Sequence, residues 1–136
     1  MKIIVETIPI KSMRYNTVGD WMIDADKNEL RIFVADMNDQ FKEYLLARHE
    51  MDEAMLCLKS GVSQKMVDEF DMVWETSERV NLFEEPGIDP DAPYHNQHMV
   101  AYGHEILMAQ SLGIDWTDYN NEIEELSMSY NIKEKE

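Results

Sequence analysis

Leu30-Arg31-Ile32-Phe33-Val34-Ala35 and, after a short polar turn, Tyr44-Leu45-Leu46-Ala47-Arg48-His49-Glu50-Met51-Asp52-Glu53-Ala54 carry the reading of the fold. In the first segment Leu30, Ile32 and Val34 alternate with Arg31, the period of a strand, although Phe33 and Ala35 make the second face partly apolar. The second segment repeats its apolar positions at about 3.6 residues, the period of a helix. Asp39 is placed to cap that helix, which runs to about Lys59, and Gly61 follows as a C-terminal stop.

Working outward from this strand-to-helix step, Ile3, Val5 and Thr7 alternate with Ile4 and Glu6 before Pro9. A Gly19-Asp20 turn leads into Trp21-Met22-Ile23, and Asp26-Lys27-Asn28 is a second turn before Leu30. The pattern predicts a three-stranded antiparallel sheet, which needs helices packed on it to be stable. Helix one carries Leu45, His49, Glu53 and Leu56 on one stripe. Tyr44, Ala47, Met51, Ala54, Met55 and Leu58 lie on the reverse, so it is expected inside the fold. Helix two starts at a Ser63 cap and runs to roughly Arg79, with Met66, Val67, Phe70, Val73 and Trp74 as its apolar face. A loop with three prolines, residues 84–93, aims helix three from Pro93 to about Leu112. A last helix spans Asp118 to about Met128. The expected class is α+β, with one domain over residues 1–130 and a frayed tail at 131–136.

The 136 residues are near the commonest domain size, and 44% apolar content suffices for one core. The eleven methionines are expected as core filler. Against 12 basic residues stand 28 acidic ones, a net charge of −16. That balance argues against binding through nucleic-acid phosphates or anionic headgroups. Residues 1–60 hold 8 basic and 11 acidic groups and residues 61–136 hold 4 and 17, so the second half supplies most of the charge. Such a surface is commonly a solvated face. Cys57 is the only cysteine, which excludes an intrachain disulfide and a Cys-rich zinc site. A charge at Lys2 and no apolar run of about 20 residues give the expectation of a cytoplasmic protein with no membrane span.

A few acidic residues do not fit a solvated face. His49 and Glu53 fall on an apolar stripe of helix one, Asp71 lies between Val67 and Trp74 on helix two, and His98 shares a face of helix three with Tyr94, Ala101, Tyr102 and Glu105. A buried carboxylate needs a partner, either a structural hydrogen bond or a cation. If the three helices converge, His49, Glu53 and His98 become metal ligands, with Asp71 a further ligand or the acceptor that orients a ligand histidine. Glu105 is an alternative ligand. His95 and His104 are expected in surface or structural roles, and Tyr94 and Tyr102 as core aromatics.

His49-Glu50-Met51-Asp52-Glu53 resembles the zincin signature His-Glu-x-x-His, in which positions i and i+4 bind zinc and the Glu at i+1 activates water. Here Glu53 stands where the signature has its second histidine. The layout of small sheet, strand and motif-bearing helix is also similar to a minimal zincin. That resemblance implies Zn²⁺ on His49, Glu53 and His98, with Glu50 as general base of a peptidase- or amidase-like hydrolase. Beyond the motif, Lys2-Ile3-Ile4-Val5-Glu6-Thr7-Ile8-Pro9, Arg14 through Trp21, Phe70-Asp71 and Asp89-Pro90-Asp91-Ala92-Pro93-Tyr94 resemble a family of small bacteriophage proteins with no established activity. That resemblance implies a phage origin and a place in the host cytoplasm.

Two other readings stand beside the hydrolase. Glu50-x-x-Glu53 followed by Asp68-x-x-Asp71 is similar to the MazG-type nucleotide pyrophosphohydrolases, which implies four acids holding Mg²⁺ or Mn²⁺ against a triphosphate. A non-enzymatic acidic protein would instead occupy a basic surface of a host protein.

Overall fold

The computed structural model describes residues 1–131. Its elements are β1 (Lys2–Ile8), β2 (Gly19–Asp24), β3 (Glu29–Ala35), α1 (Gln40–Ser60), α2 (Gln64–Glu75), α3 (His95–Ser111) and α4 (Trp116–Tyr130), with short 3-10 turns at Ile10–Ser12, Glu78–Asn81 and Pro86–Ile88. The class is α+β, as the alternation followed by helical periodicity predicts. Apart from Asn131, the expected frayed tail lies outside the described residues.

The sheet is mixed rather than antiparallel. Its order is β1-β3-β2: β1 runs parallel to β3, Lys2 opposite Glu29 and Ile8 opposite Ala35, while β2 and β3 form an antiparallel hairpin. The physical reason lies in the middle strand. β3 is the most buried of the three, with Leu30, Ile32, Val34 and Ala35 at 1% exposure or less. A central position satisfies the hydrogen bonds on both its edges. The chain reaches that arrangement by carrying residues 9–18 across to the far edge before β2 begins.

Asp39 caps α1 by accepting from the N–H groups of Phe41 and Lys42, and Gly61 ends it in the left-handed conformation at φ 76°. The buried side of α1 comprises Leu45, Leu46, Ala47, His49, Glu53, Ala54 and Cys57. Its reverse is covered only in part: Ala47 and Ala54 are buried, whereas Tyr44, Met55 and Leu58 are 44%, 41% and 47% exposed. The helix packs on β2, β3 and α3.

Ser63 caps α2 through Met66 N–H. The helix stops at Glu75 rather than near Arg79, because the Thr76 and Ser77 hydroxyls donate back to the Val73 and Trp74 carbonyls and compete with its continuation. Val67, Asp71 and Trp74 form its buried face, whereas Met66 and Val73 are exposed. Arg79 then ties down the proline-rich loop, donating to both carboxylate oxygens of Asp89 at 2.7 Å and to Asp91. The methionines are mostly not core filler: Met13 is buried, but Met22, Met55, Met66, Met72, Met99 and Met128 are exposed. Among the described residues no helix is long and apolar enough to cross a membrane.

The main apolar cluster joins Trp21, Leu30, Ile32 and Val34 of the sheet to Leu45 and Cys57 of α1, Val67 of α2, Ala109 of α3 and Tyr119 of α4. It closes one flank of a second, polar cluster. That cluster is where α1 and α3 meet.

Candidate metal centre

Helical spacing puts His49 and Glu53 one turn apart on α1, both pointing at α3. α3 answers with His98, brought to the same depth by the loop that ends in Ala92 and Tyr94. All three are buried, at 7%, 6% and 5% exposure. His49 Nε2 lies 3.3 Å from Glu53 Oε2 and 3.2 Å from His98 Nδ1, and His98 Nδ1 lies 2.8 Å from Glu53 Oε2. Three donor atoms on two helices therefore form a near-equilateral triangle.

The outward nitrogens of both rings are engaged by carboxylates. His49 Nδ1 is 2.8 Å from Glu105 Oε1, and His98 Nε2 is 2.8 Å from Glu85 Oε1. A carboxylate can only accept, so each of these nitrogens carries the proton. In the neutral tautomers thus selected, His49 Nε2 and His98 Nδ1 both present lone pairs, and they present them to each other and to Glu53 Oε2. Three acceptors facing one another call for a cation between them, a shared proton or a metal ion. The remaining groups are satisfied: Trp21 Nε1 donates to Glu53 Oε1 at 3.1 Å, and Tyr119 donates to Glu105 Oε2 at 2.5 Å.

The acid-base properties follow from this crowding. Burial alone would lower the His49 imidazole, but hydrogen bonds to Glu105 and Glu53 outweigh it and hold it well above 6.5. His98 is likewise pushed up to about 9, Glu53 and Glu85 overcoming its burial. Glu53 goes the other way, to about 2, because both imidazoles stabilise its anion against the burial penalty. Burial and the neighbouring Glu53 charge drive Glu50 well above the ordinary carboxyl range. Its side chain packs against bare backbone: a Cβ built on Gly19 would lie 2.6 Å from Glu50 Oε1. Gly87 plays the same part for His98, since a Cβ there would lie 2.3 Å from the ring.

Of the residues singled out in the sequence, His49, Glu53 and His98 converge, and the three form a group able to hold a metal ion. Asp71 does not join them. It accepts from Tyr94 Oη at 2.5 Å, one residue layer away, and burial raises it to about 7. Neither role considered for Asp71 is the one it takes: the ring-orienting acceptors are Glu105 and Glu85. Glu105 is thus a partner of a ligand candidate rather than a ligand. His95 Nδ1 is bonded to the Gly87 carbonyl at 3.0 Å and steadies the loop, while exposed His104 pairs with Asp52 at 3.1 Å. Tyr102 stacks on His98 with ring centroids 6.3 Å apart. Glu85, Trp21 and Tyr119 escaped sequence reasoning. Glu85 sits in an aperiodic loop, and nothing in the local pattern distinguishes it from Glu84.

Asp68 lies apart from the cluster, with both carboxylate oxygens taken by Arg14 at 2.9 and 3.1 Å. No protein-family model, curated protein or solved structure matches this chain.

Proposed function

We propose that this protein is a metal-dependent hydrolase in which His49, Glu53 and His98 hold a divalent transition metal, zinc first, and Glu50 is the general base. One observation carries the reading: three lone-pair donors converge while both ligand rings have their other nitrogen fixed by a carboxylate, the usual support of a metal-bound histidine. Tetrahedral zinc with ligands at about 2.0–2.1 Å separates them by roughly 3.3 Å, so distances of 2.8–3.3 Å need only a small outward adjustment on binding. Two imidazoles and one carboxylate suit zinc better than Mg²⁺, which favours an all-oxygen octahedron.

Three protein ligands rather than four are the donor set of a catalytic zinc, whose remaining position takes water. The ion supplies Lewis acidity there. The chain's own contribution is to orient the rings through Glu105 and Glu85, to position the Glu53 carboxylate through Trp21 Nε1, and to offer Glu50 as proton acceptor. Burial and the Glu53 charge raise the Glu50 carboxyl, which strengthens it as a proton acceptor when ionised. An amide or peptide substrate, zincin-like architecture and phage origin rest on the sequence resemblances alone. The pyrophosphohydrolase reading is disfavoured by Asp68, whose oxygens are committed to Arg14.

Elemental analysis of protein purified without chelator and loaded with zinc tests the metal. One equivalent is expected, lost in His49→Ala and in His98→Ala and kept in Glu50→Gln. Stoichiometric zinc retained by both histidine variants would overturn the site. Hydrolysis of a panel of amide and ester substrates, abolished in zinc-loaded Glu50→Gln, tests the chemistry, and Mg²⁺-dependent release of pyrophosphate from nucleotides would replace it with the carboxylate mechanism.

A further inference from the structure

The two edges of the sheet are treated differently. On β2 the outward N–H of Ile23 is capped by the Gln64 side chain at 2.9 Å. On β1 the residues bonded to β3 are the even-numbered ones, as Lys2 N–H to Asn28 and Asp36 N–H to Ile8 show. Ile3, Val5 and Thr7 therefore aim their N–H and C=O groups away from the sheet, and no strand among the described residues pairs with them. Ile3 and Val5 are 43% and 44% exposed. Beside them runs a groove of about 620 Å³ lined by Val5, Thr7, Tyr44, Ala47 and Met51. A regular seven-residue edge with apolar side chains and open backbone groups is a template for another strand.

The side-chain order along β1 identifies which strand. We infer that β1 is the seam of a two-fold dimer, pairing antiparallel with β1 of a second copy about an axis at Ile4 to give one continuous six-stranded sheet. In that register Ile3 faces Val5 of the second copy, and both belong to the outward-bonding set, so they exchange their N–H···O bonds as a hydrogen-bonded pair. Lys2 faces Glu6 of the second copy, and the two-fold repeats the match. Ile4 faces itself. An axis at Val5 or Ile3 satisfies the backbone but sets Lys2 against an isoleucine, and one at Glu6 sets like charges together. Only the Ile4 axis matches charge with charge and apolar with apolar. On the helical face, Ile3 of each copy then lies at the mouth of the other's groove.

Sedimentation velocity on the full chain from micromolar to about 200 μM should give a dimer. Val5→Pro removes one outward N–H and no bond to β3, so it should yield a monomer with unchanged circular dichroism. Lys2→Glu should weaken dimerisation roughly tenfold, and adding Glu6→Lys should restore most of it. Under oxidation Ile4→Cys should cross-link faster than Ile3→Cys or Val5→Cys, since it sits on the axis. A monomer throughout the concentration range, a dimer indifferent to Val5→Pro, or fastest cross-linking at position 3 or 5 would each overturn the inference. None of these readouts depends on the metal centre.

Discussion

His49 Nε2 and His98 Nδ1 face each other at 3.2 Å, while the far nitrogen of each ring lies 2.8 Å from a carboxylate oxygen. Two imidazoles whose outward protons are both spoken for cannot hydrogen-bond to one another when neutral. The pair is at ease only with a positive charge between the rings, and the protein's response to metal and to pH follows from that.

Zinc should stabilise the fold. An ion that binds the native state at about 100 times its dissociation constant adds about 2.7 kcal/mol, which for a chain of this length is on the order of 10 °C in Tm. Scanning calorimetry with zinc and then with excess chelator should show that rise and its reversal. Asp71→Asn, off the triad and bonded to Tyr94, should keep the whole shift, and His98→Ala should lose it.

The metal-free protein and zinc uptake should respond to pH with opposite sign. His98 is raised in the fold from 6.5 to about 9, so its contribution is complete below about pH 6.5 and lost as pH rises through 9. Glu53, held near 2, contributes above its ordinary 4.5 and loses that contribution as pH falls through 2. Metal-free Tm should therefore decline between pH 6.5 and 9. Zinc must displace the proton shared by the rings, so its apparent affinity should climb over the same window. A metal-free Tm that rises there would contradict the tautomers assigned above.

Glu105→Ala should weaken zinc binding by about 10- to 100-fold without abolishing it, because the residue orients His49 rather than touching the ion. Tyr119→Phe, which removes one hydrogen bond to Glu105, should have a smaller effect in the same direction. Competition against a chromogenic chelator separates the two.

The glycines that pack against the cluster should divide metal binding from chemistry. Gly87→Ala drives a methyl into the His98 ring and should destabilise by about 1–3 kcal/mol while reducing zinc content. Gly19→Ala meets the flexible Glu50 side chain instead. That variant should retain zinc and lose hydrolysis, and denaturant unfolding alongside metal analysis would show the contrast.

Helix ends and faces were legible in the chain because they are short-range matters. Asp39 and Gly61 bracket α1 where their capping chemistry dictates, and the spacing of His49 and Glu53 follows from 3.6 residues per turn. α2 ends four residues before Arg79 because the hydroxyls of Thr76 and Ser77 turn back on the helix, a competition that propensity does not register. The exposed methionines and the exposed Tyr44 and Leu58 of α1 show the limit of apolar periodicity, which marks what can be buried and not what finds a partner.

The sequence alone determined the α+β class, the helix carrying His49 and Glu53, and a strongly acidic balance. Tertiary structure decided the rest. Placing the most apolar strand in the centre made β1 parallel, and the packing of α1 on α3 brought in His98. It also recruited Glu105 and the loop residue Glu85 in the part considered for Asp71. Neither outcome has a local signal, because each depends on which surfaces separated by tens of residues bury one another. The net charge of −16 is likewise only a sum. Which carboxylates are solvated and which lie against a histidine is set by the fold.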